Sequence, residues 1–126
     1  MASNGKKVRV CIVGMGIGRP NGNAIARHPR GEVVALCDLV EQRMQEYAQT
    51  LPNEVKFYTD YKKMCRDPEI DAVFIGTPNQ WHVPIALEAV RRDKHVLITK
   101  PLADSERAAK KLVQTAAVLG REFDVQ

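Results

Sequence analysis

No stretch of this chain approaches the ~18 consecutive apolar residues that cross a bilayer as a helix, so no membrane partner is expected. The opening Met1-Ala2-Ser3-Asn4-Gly5-Lys6-Lys7 lacks the long apolar core of a signal peptide, which predicts cytoplasmic residence. Residues 1–6 are expected to be flexible. The 3 cysteines, Cys11, Cys37 and Cys65, show no C-x-x-C spacing. They read as buried free thiols acting as small hydrophobes, not as a disulfide, metal or redox set. No His, Cys, Asp or Glu cluster has ligand spacing, and no metal is expected. Charge of one sign is nowhere gathered: 19 basic residues are scattered among 15 acidic ones, for a net charge of +4. Nucleic-acid binding needs a clustered patch, so none is expected; a mild attraction for small anions fits. Repeats, low-complexity segments and long linkers are absent too.

What is present is an ordinary globular composition, 44% hydrophobic and 27% charged, in a chain of 126 residues. That length suits one domain with its own core. Strand and helix patterns alternate without pause. Strands are expected at Val8–Val13, Glu32–Cys37, Lys56–Tyr58, Asp71–Ile75, His95–Thr99 and, beginning at 121, 121–126. Helices are expected at Asn21–Arg27, Glu41–Leu51, Tyr61–Arg66, Val83–Arg92 and 105–119. Pro20 and Pro84 suit first turns, and Gly120 suits a C-terminal cap. Apolar strands separated by helices imply an α/β fold: a doubly wound, mostly parallel sheet with helices on both faces.

One segment carries the chemistry. Val8-Arg9-Val10-Cys11-Ile12-Val13 breaks into Gly14-Met15-Gly16-Ile17-Gly18 and then into a helix. A strand ending this way lets backbone approach a ligand closely, and the following helix N-terminus suits a phosphate. Asp38 stands twenty residues past Gly18, at the end of the next apolar run. An acid at that distance can accept from ribose hydroxyls; the alternative is that it caps the following helix. In such a sheet the C-terminal strand ends gather along one rim. The rim should therefore hold the glycine turn, Asp38, the segment Thr77-Pro78-Asn79-Gln80-Trp81-His82, and Lys100-Pro101. His82 and Trp81 each admit a ligand-facing and a surface reading. Lys100 reads as a rim lysine that meets ligand. His95 is read as structural, and His28 as a charge at a helix end.

With these motifs in this order, the chain resembles the glucose–fructose oxidoreductase / inositol dehydrogenase (Gfo/Idh/MocA) family. The resemblance rests on the glycine turn, Leu36-Cys37-Asp38, the Thr77–His82 segment, and Lys94-His95-Val96-Leu97-Ile98-Thr99-Lys100-Pro101-Leu102-Ala103. It implies a Rossmann domain over residues 7–126 that binds NAD, with NADP possible. It also implies hydride transfer between that cofactor and a sugar, cyclitol or related hydroxy compound. By similarity Gly14, Gly16, Ile17 and Gly18 carry the diphosphate turn and Asp38 the ribose. Thr77, Pro78, Asn79 and His82 lie along the nicotinamide half. Lys100, with Pro101 fixing its backbone, sits at the reacting centre, and His82 is a second catalytic candidate. The pattern departs from the family in three places. The turn is Gly-x-Gly-x-Gly, one residue short; Thr99 replaces the usual Glu before Lys-Pro; and a large substrate domain is expected to be absent from this chain. The isolated chain is therefore expected to bind cofactor with little turnover.

Two other readings stand beside this one. A non-catalytic dinucleotide-binding or assembly module would self-associate through its open edge strand or uncovered apolar surface. An S-adenosylmethionine-dependent methyltransferase would share the glycines, but usually carries an acid where this chain has Ile12. Asp38 favours NAD over NADP, because a carboxylate repels a 2′-phosphate. Arg43 is expected to face outward on its helix.

Overall fold

A computed structural model describes residues 7–16, 18–99, 107, 110, 113, 114 and 123–125. Ile17, Lys100 and Pro101 lie outside the described residues, as does most of the helix expected over 105–119. Positions 107, 110, 113 and 114 of that segment are helical.

Six strands form one sheet: β1 Val8–Val13, β2 Gly31–Cys37, β3 Lys56–Tyr58, β4 Ala72–Ile75, β5 His95–Ile98 and β6 Phe123–Val125. Their order is β3-β2-β1-β4-β5-β6, and every pairing is parallel. The chain moves outward one way from β1, then returns to build β4, β5 and β6 on its other side. Strand order thus reverses between β1 and β4, which opens a crevice beyond their C-terminal ends. Between β1 and β5 four helices connect the strands: α1 Gly18–Arg27, α2 Glu41–Ala48, α3 Tyr61–Cys65 and α4 His82–Arg91.

The alternation of the strands sorts the core into two layers. Val10, Ile12, Val33, Leu36 and Phe74 pack with Met44 and Tyr47 of α2 and with Ile25 and Ala26 of α1. Cys11, Val13, Ala35, Cys37, Val73, Ile75, Val96 and Ile98 pack with Met64 and Cys65 of α3 and with the apolar length of α4. Helices on both faces are what the unbroken apolar strands predicted. Phe74, 1% exposed, sits deep in its layer, and cutting it back to alanine would cost about 3–5 kcal/mol. The register of β1 against β2 shifts between Val10 and Cys11, so Val34 is one residue extra. This bulge puts Val34 and Ala35 on the same side and resets the alternation before Cys37 and Asp38.

Element ends differ from expectation by a few residues. α1 begins at Gly18, not Asn21, so the last glycine of the turn is already helical. α2 stops at Ala48; Thr50 and Leu51 close a turn instead, with their N–H groups on the carbonyls of Tyr47 and Ala48. α4 ends where Asp93 takes a left-handed φ of 64°, a conformation Asp tolerates better than most side chains. His28 follows directly after α1, at the helix end as expected, and its Nδ1 accepts the Arg30 N–H at 3.0 Å, which closes the turn.

Candidate functional site

The loops leaving β1, β2, β3 and β4 enclose a cavity of about 550 Å³. Its wall runs from Gly14, Met15 and Gly16 through Asp38, Leu39, Val40 and Arg43 to Thr59, Tyr61, Thr77, Pro78 and Trp81. Three of the four segments assigned to the rim from sequence therefore meet; the fourth, Lys100-Pro101, lies outside the described residues.

Gly14 holds the turn open. Its φ is +92°, and a Cβ there would lie 2.6 Å from the Gly76 carbonyl oxygen. Only glycine allows β1 and β4 to end this close together while the backbone swings left-handed. The Gly14 N–H donates to the Cys37 carbonyl at 2.9 Å, tying the turn to β2 as well. Gly16, in contrast, is open: among the described residues a Cβ there would meet only Arg43 Nη2, at 3.6 Å. That opening is the backbone approach a diphosphate needs.

Asp38 does more than either expectation allowed. Its Oδ2 accepts the Met15 N–H at 2.9 Å, and its Oδ1 accepts the Val40 N–H at 2.8 Å. The N-cap position of α2 is Val40, which makes no side-chain cap, so Asp38 is not the capping residue. The carboxylate instead joins the glycine turn to the start of α2. Two carboxylate oxygens offer about four lone-pair sites, so each keeps room for a ribose hydroxyl.

Arg43 is exposed, as expected, but it also borders the cavity, with Nη1 4.0 Å from Asp38 Oδ2. Helical side chains tilt toward the helix N-terminus, and Arg43 stands in the first turn of a helix that starts at the rim. That tilt was the signal available in the sequence. Leu39, 78% exposed, and Val40, 49% exposed, add apolar surface suited to a flat base. Thr59 and Tyr61 were also missed; they follow β3, whose C-terminal end joins the rim.

The Thr77–His82 segment forms the opposite wall. Asn79–Trp81 is a 3₁₀ turn running straight into α4. Trp81 is 40% exposed and stands in the cavity wall. His82 is 0% exposed, so its surface reading is overturned. The ring lies under the loop with Nε2 2.8 Å from the Thr77 carbonyl, and it is not among the cavity-lining side chains. Thr77 Oγ1 is enclosed in the rim with no hydrogen-bond partner among the described residues. An enclosed hydroxyl without a partner, beside an open glycine backbone and a carboxylate, fits a polar ligand such as a dinucleotide.

At the end of β5, Thr99 directs both its N–H, at 3.1 Å, and its hydroxyl, at 3.2 Å, onto the Ile75 carbonyl. Where the family pattern has a carboxylate, this chain has a neutral hydroxyl already engaged with β4. All 3 cysteines are free and buried. Burial pushes the Cys37 and Cys65 thiols up to about 12 and Cys11 well above its ordinary value, so none is a thiolate near neutrality. Among the described residues no group of three or more His, Cys, Asp or Glu side chains is gathered as a metal site requires.

Comparison with known proteins agrees with this geometry. The family described as "Oxidoreductase family, NAD-binding Rossmann fold" (Gfo/Idh/MocA) matches residues 8–126. The inositol 2-dehydrogenase of Rubrobacter xylanophilus is 35% identical over 98% of this chain, but the match covers only 35% of that protein. The myo-inositol dehydrogenase of Lactobacillus casei, solved with NAD(H) and myo-inositol, superposes with a TM-score of 0.90 at 28% identity, over 94% of this chain and 36% of that one. The biliverdin reductase of Synechocystis sp. PCC 6803, solved with biliverdin and NADP+, gives a TM-score of 0.87 at 33% identity over 94% of this chain and 37% of its own. The chain spans about a third of the length of these relatives. It belongs to the Gfo/Idh/MocA oxidoreductase family, as the NAD-binding Rossmann domain that family shares.

Proposed function

We propose that the rim cavity takes NAD with its adenosine half against Leu39 and Val40, its ribose on Asp38 and its diphosphate over the turn of Gly14, Gly16, Ile17 and Gly18. Thr77, Pro78 and Asn79 then line the nicotinamide half. His82 acts at one remove, holding the Thr77 carbonyl. Lys100, next in sequence after Thr99, is the residue proposed to hydrogen-bond the substrate hydroxyl and stabilise an alkoxide, with Pro101 restricting its backbone. Bound nicotinamide supplies the hydride chemistry; the chain supplies position. The substrate is a sugar, cyclitol or related hydroxy compound, met only with a second domain, because hydride transfer needs both reactants held in near-attack geometry. Residues 7–126 alone bind cofactor and turn over little. The finer expectations belong to the same proposal: cytoplasmic residence, self-association through open sheet edges, and no nucleic-acid or membrane partner. Among the described residues no helix is long and apolar enough to cross a membrane.

The observation that carries this reading is the Asp38 carboxylate bonded to the N–H of Met15 inside the glycine turn, so that the ribose and diphosphate positions are one unit. Trp81 is the only tryptophan and stands in the cavity wall, which makes it the reporter. NADH absorbs where tryptophan emits, so titration should quench Trp81 saturably, and Asp38→Asn should weaken binding by about tenfold. No saturable quenching at millimolar NADH, or tighter binding of S-adenosylmethionine, would overturn the proposal.

A further inference from the structure

The glycine turn can meet a diphosphate only if the helix behind it stays in place, and α1 is poorly equipped to stay there alone. Gly18, Pro20 and Gly22 fall within its first five residues, and no acidic residue stands in its first turn. Glycine and proline are the weakest helix formers, and ten residues are too few to hold a helix without outside contacts. One of those contacts comes from α2.

Tyr47 is 4% exposed and reaches across to α1. Its hydroxyl oxygen lies 3.0 Å from the Arg19 carbonyl and 2.9 Å from Asn23 Oδ1. One hydroxyl proton cannot serve two oxygens. Turning the Asn23 carboxamide over, so that its NH₂ donates to the phenol, satisfies both contacts while Tyr47 donates to Arg19. Gly22 makes this approach possible: a Cβ there would collide with the Tyr47 hydroxyl and lie 3.2 Å from its Cζ and 3.3 Å from Ile12 Cγ1. Burial pushes the phenol above its ordinary value against the pull of Arg19, so it keeps its proton near neutrality. Tyr47 lines a separate cleft between α1 and α2 and is not part of the rim cavity wall.

We infer that Tyr47 is a positioning residue for dinucleotide binding: by holding the Arg19 carbonyl through the gap that Gly22 leaves, it fixes the first turn of α1 against the diphosphate. The inference rests on the dinucleotide reading of the rim. It predicts a selective loss, because Tyr47 supports the diphosphate end and not the adenosine end.

The test uses the full chain, isothermal titration calorimetry and two probes, ADP-ribose with a diphosphate and adenosine without one. Tyr47→Phe keeps the ring and removes the hydroxyl. ADP-ribose should bind about three- to tenfold more weakly, the factor one net hydrogen bond carries, and adenosine should change less than about twofold. Gly22→Ala, which displaces the hydroxyl from the other side, should give the same selective loss, and the double variant should lose little more than either single one. Gly22→Ala also answers the question if Tyr47→Phe does not fold. A merely structural role would weaken both probes together. Equal effects on the two probes, including no effect on either, overturn the inference and leave the dinucleotide reading standing. Failure of the wild-type chain to bind ADP-ribose overturns that reading and the inference with it.

Discussion

The two edges of the sheet are built on opposite principles. At the N-terminal edge the polar groups close on one another. Arg9 meets Asp71 three times, through its backbone N–H at 2.9 Å, Nε at 3.1 Å and Nη2 at 3.0 Å. Lys94, 6% exposed, donates from Nζ to the carbonyls of Asp67 and Ile70 at 2.5 and 2.7 Å. The Asp67 carboxylate accepts from Tyr58, Lys56 and the Glu69 N–H. At the C-terminal rim the same sheet leaves an enclosed Thr77 hydroxyl without a partner among the described residues and an Arg43 guanidinium 4.0 Å from Asp38, beyond hydrogen-bond distance. A saturated edge holds the strands in register; an unsaturated rim keeps its hydrogen-bonding capacity for a ligand.

Variants at each edge sharpen that contrast. The largest effect is expected from Gly14→Ala. It forces a Cβ into the Gly76 carbonyl and strains a left-handed backbone. NADH binding should fall by about a hundredfold or more, with a loss of stability of about 2–3 kcal/mol. Titration by fluorescence and thermal melting read the two effects, and near-normal binding would show that the turn is not pinned as described.

Lys94→Met should do the converse. It keeps the stem but leaves two buried carbonyls without their donor, for a stability loss of about 2–3 kcal/mol and a change in NADH affinity under about twofold. A drop in affinity much larger than that, in protein still folded, would break the separation of the two edges.

Arg43→Ala probes the rim charge. With the cation gone, Asp38 faces the ribose alone, so NADP binding should weaken about fivefold more than NAD binding. Equal losses would mean that Arg43 touches a part common to both cofactors.

Acid gives the gentlest comparison. Burial alone would raise Asp67, but its bonds from Tyr58, Glu69 N–H and Lys56 prevail and hold it below its ordinary 3.8. Asp71 is likewise held low: burial opposes, and Arg9 prevails. A carboxylate with a lowered folded value contributes stability that is complete above the free value and fades as pH falls through the folded one. Melting temperature should therefore drop as pH falls below about 4, and less steeply in Asp71→Asn, whose stability is already reduced at neutral pH.

Much of the scaffold is legible in the amino-acid pattern alone. β1 and β3 match their expected bounds, and the parallel order with two covered faces follows from apolar strands alternating with helices. The glycine turn and Asp38 are legible because both lie at strand ends, where a period of two gives way abruptly. Arg43 is half legible, because the start of α2 at Glu41 can be read but not the cavity its first turn borders; Tyr47 is not, because its role depends on the gap Gly22 leaves in a neighbouring helix. A single chain pattern shows which face a residue takes within its own element; it does not show what the next element brings to meet it. Asp38 is half legible: its position can be read, but its bond to Met15 arises only once the β1 and β2 loops lie side by side.

The enclosed sulfurs have a practical consequence. Because Cys11, Cys37 and Cys65 are all shielded and protonated, an added cysteine at a solvent-facing position such as Phe57 should be the one sulfhydryl that maleimide reagents reach quickly. A dye attached there would mark one defined place on the sheet edge without first stripping out the native thiols.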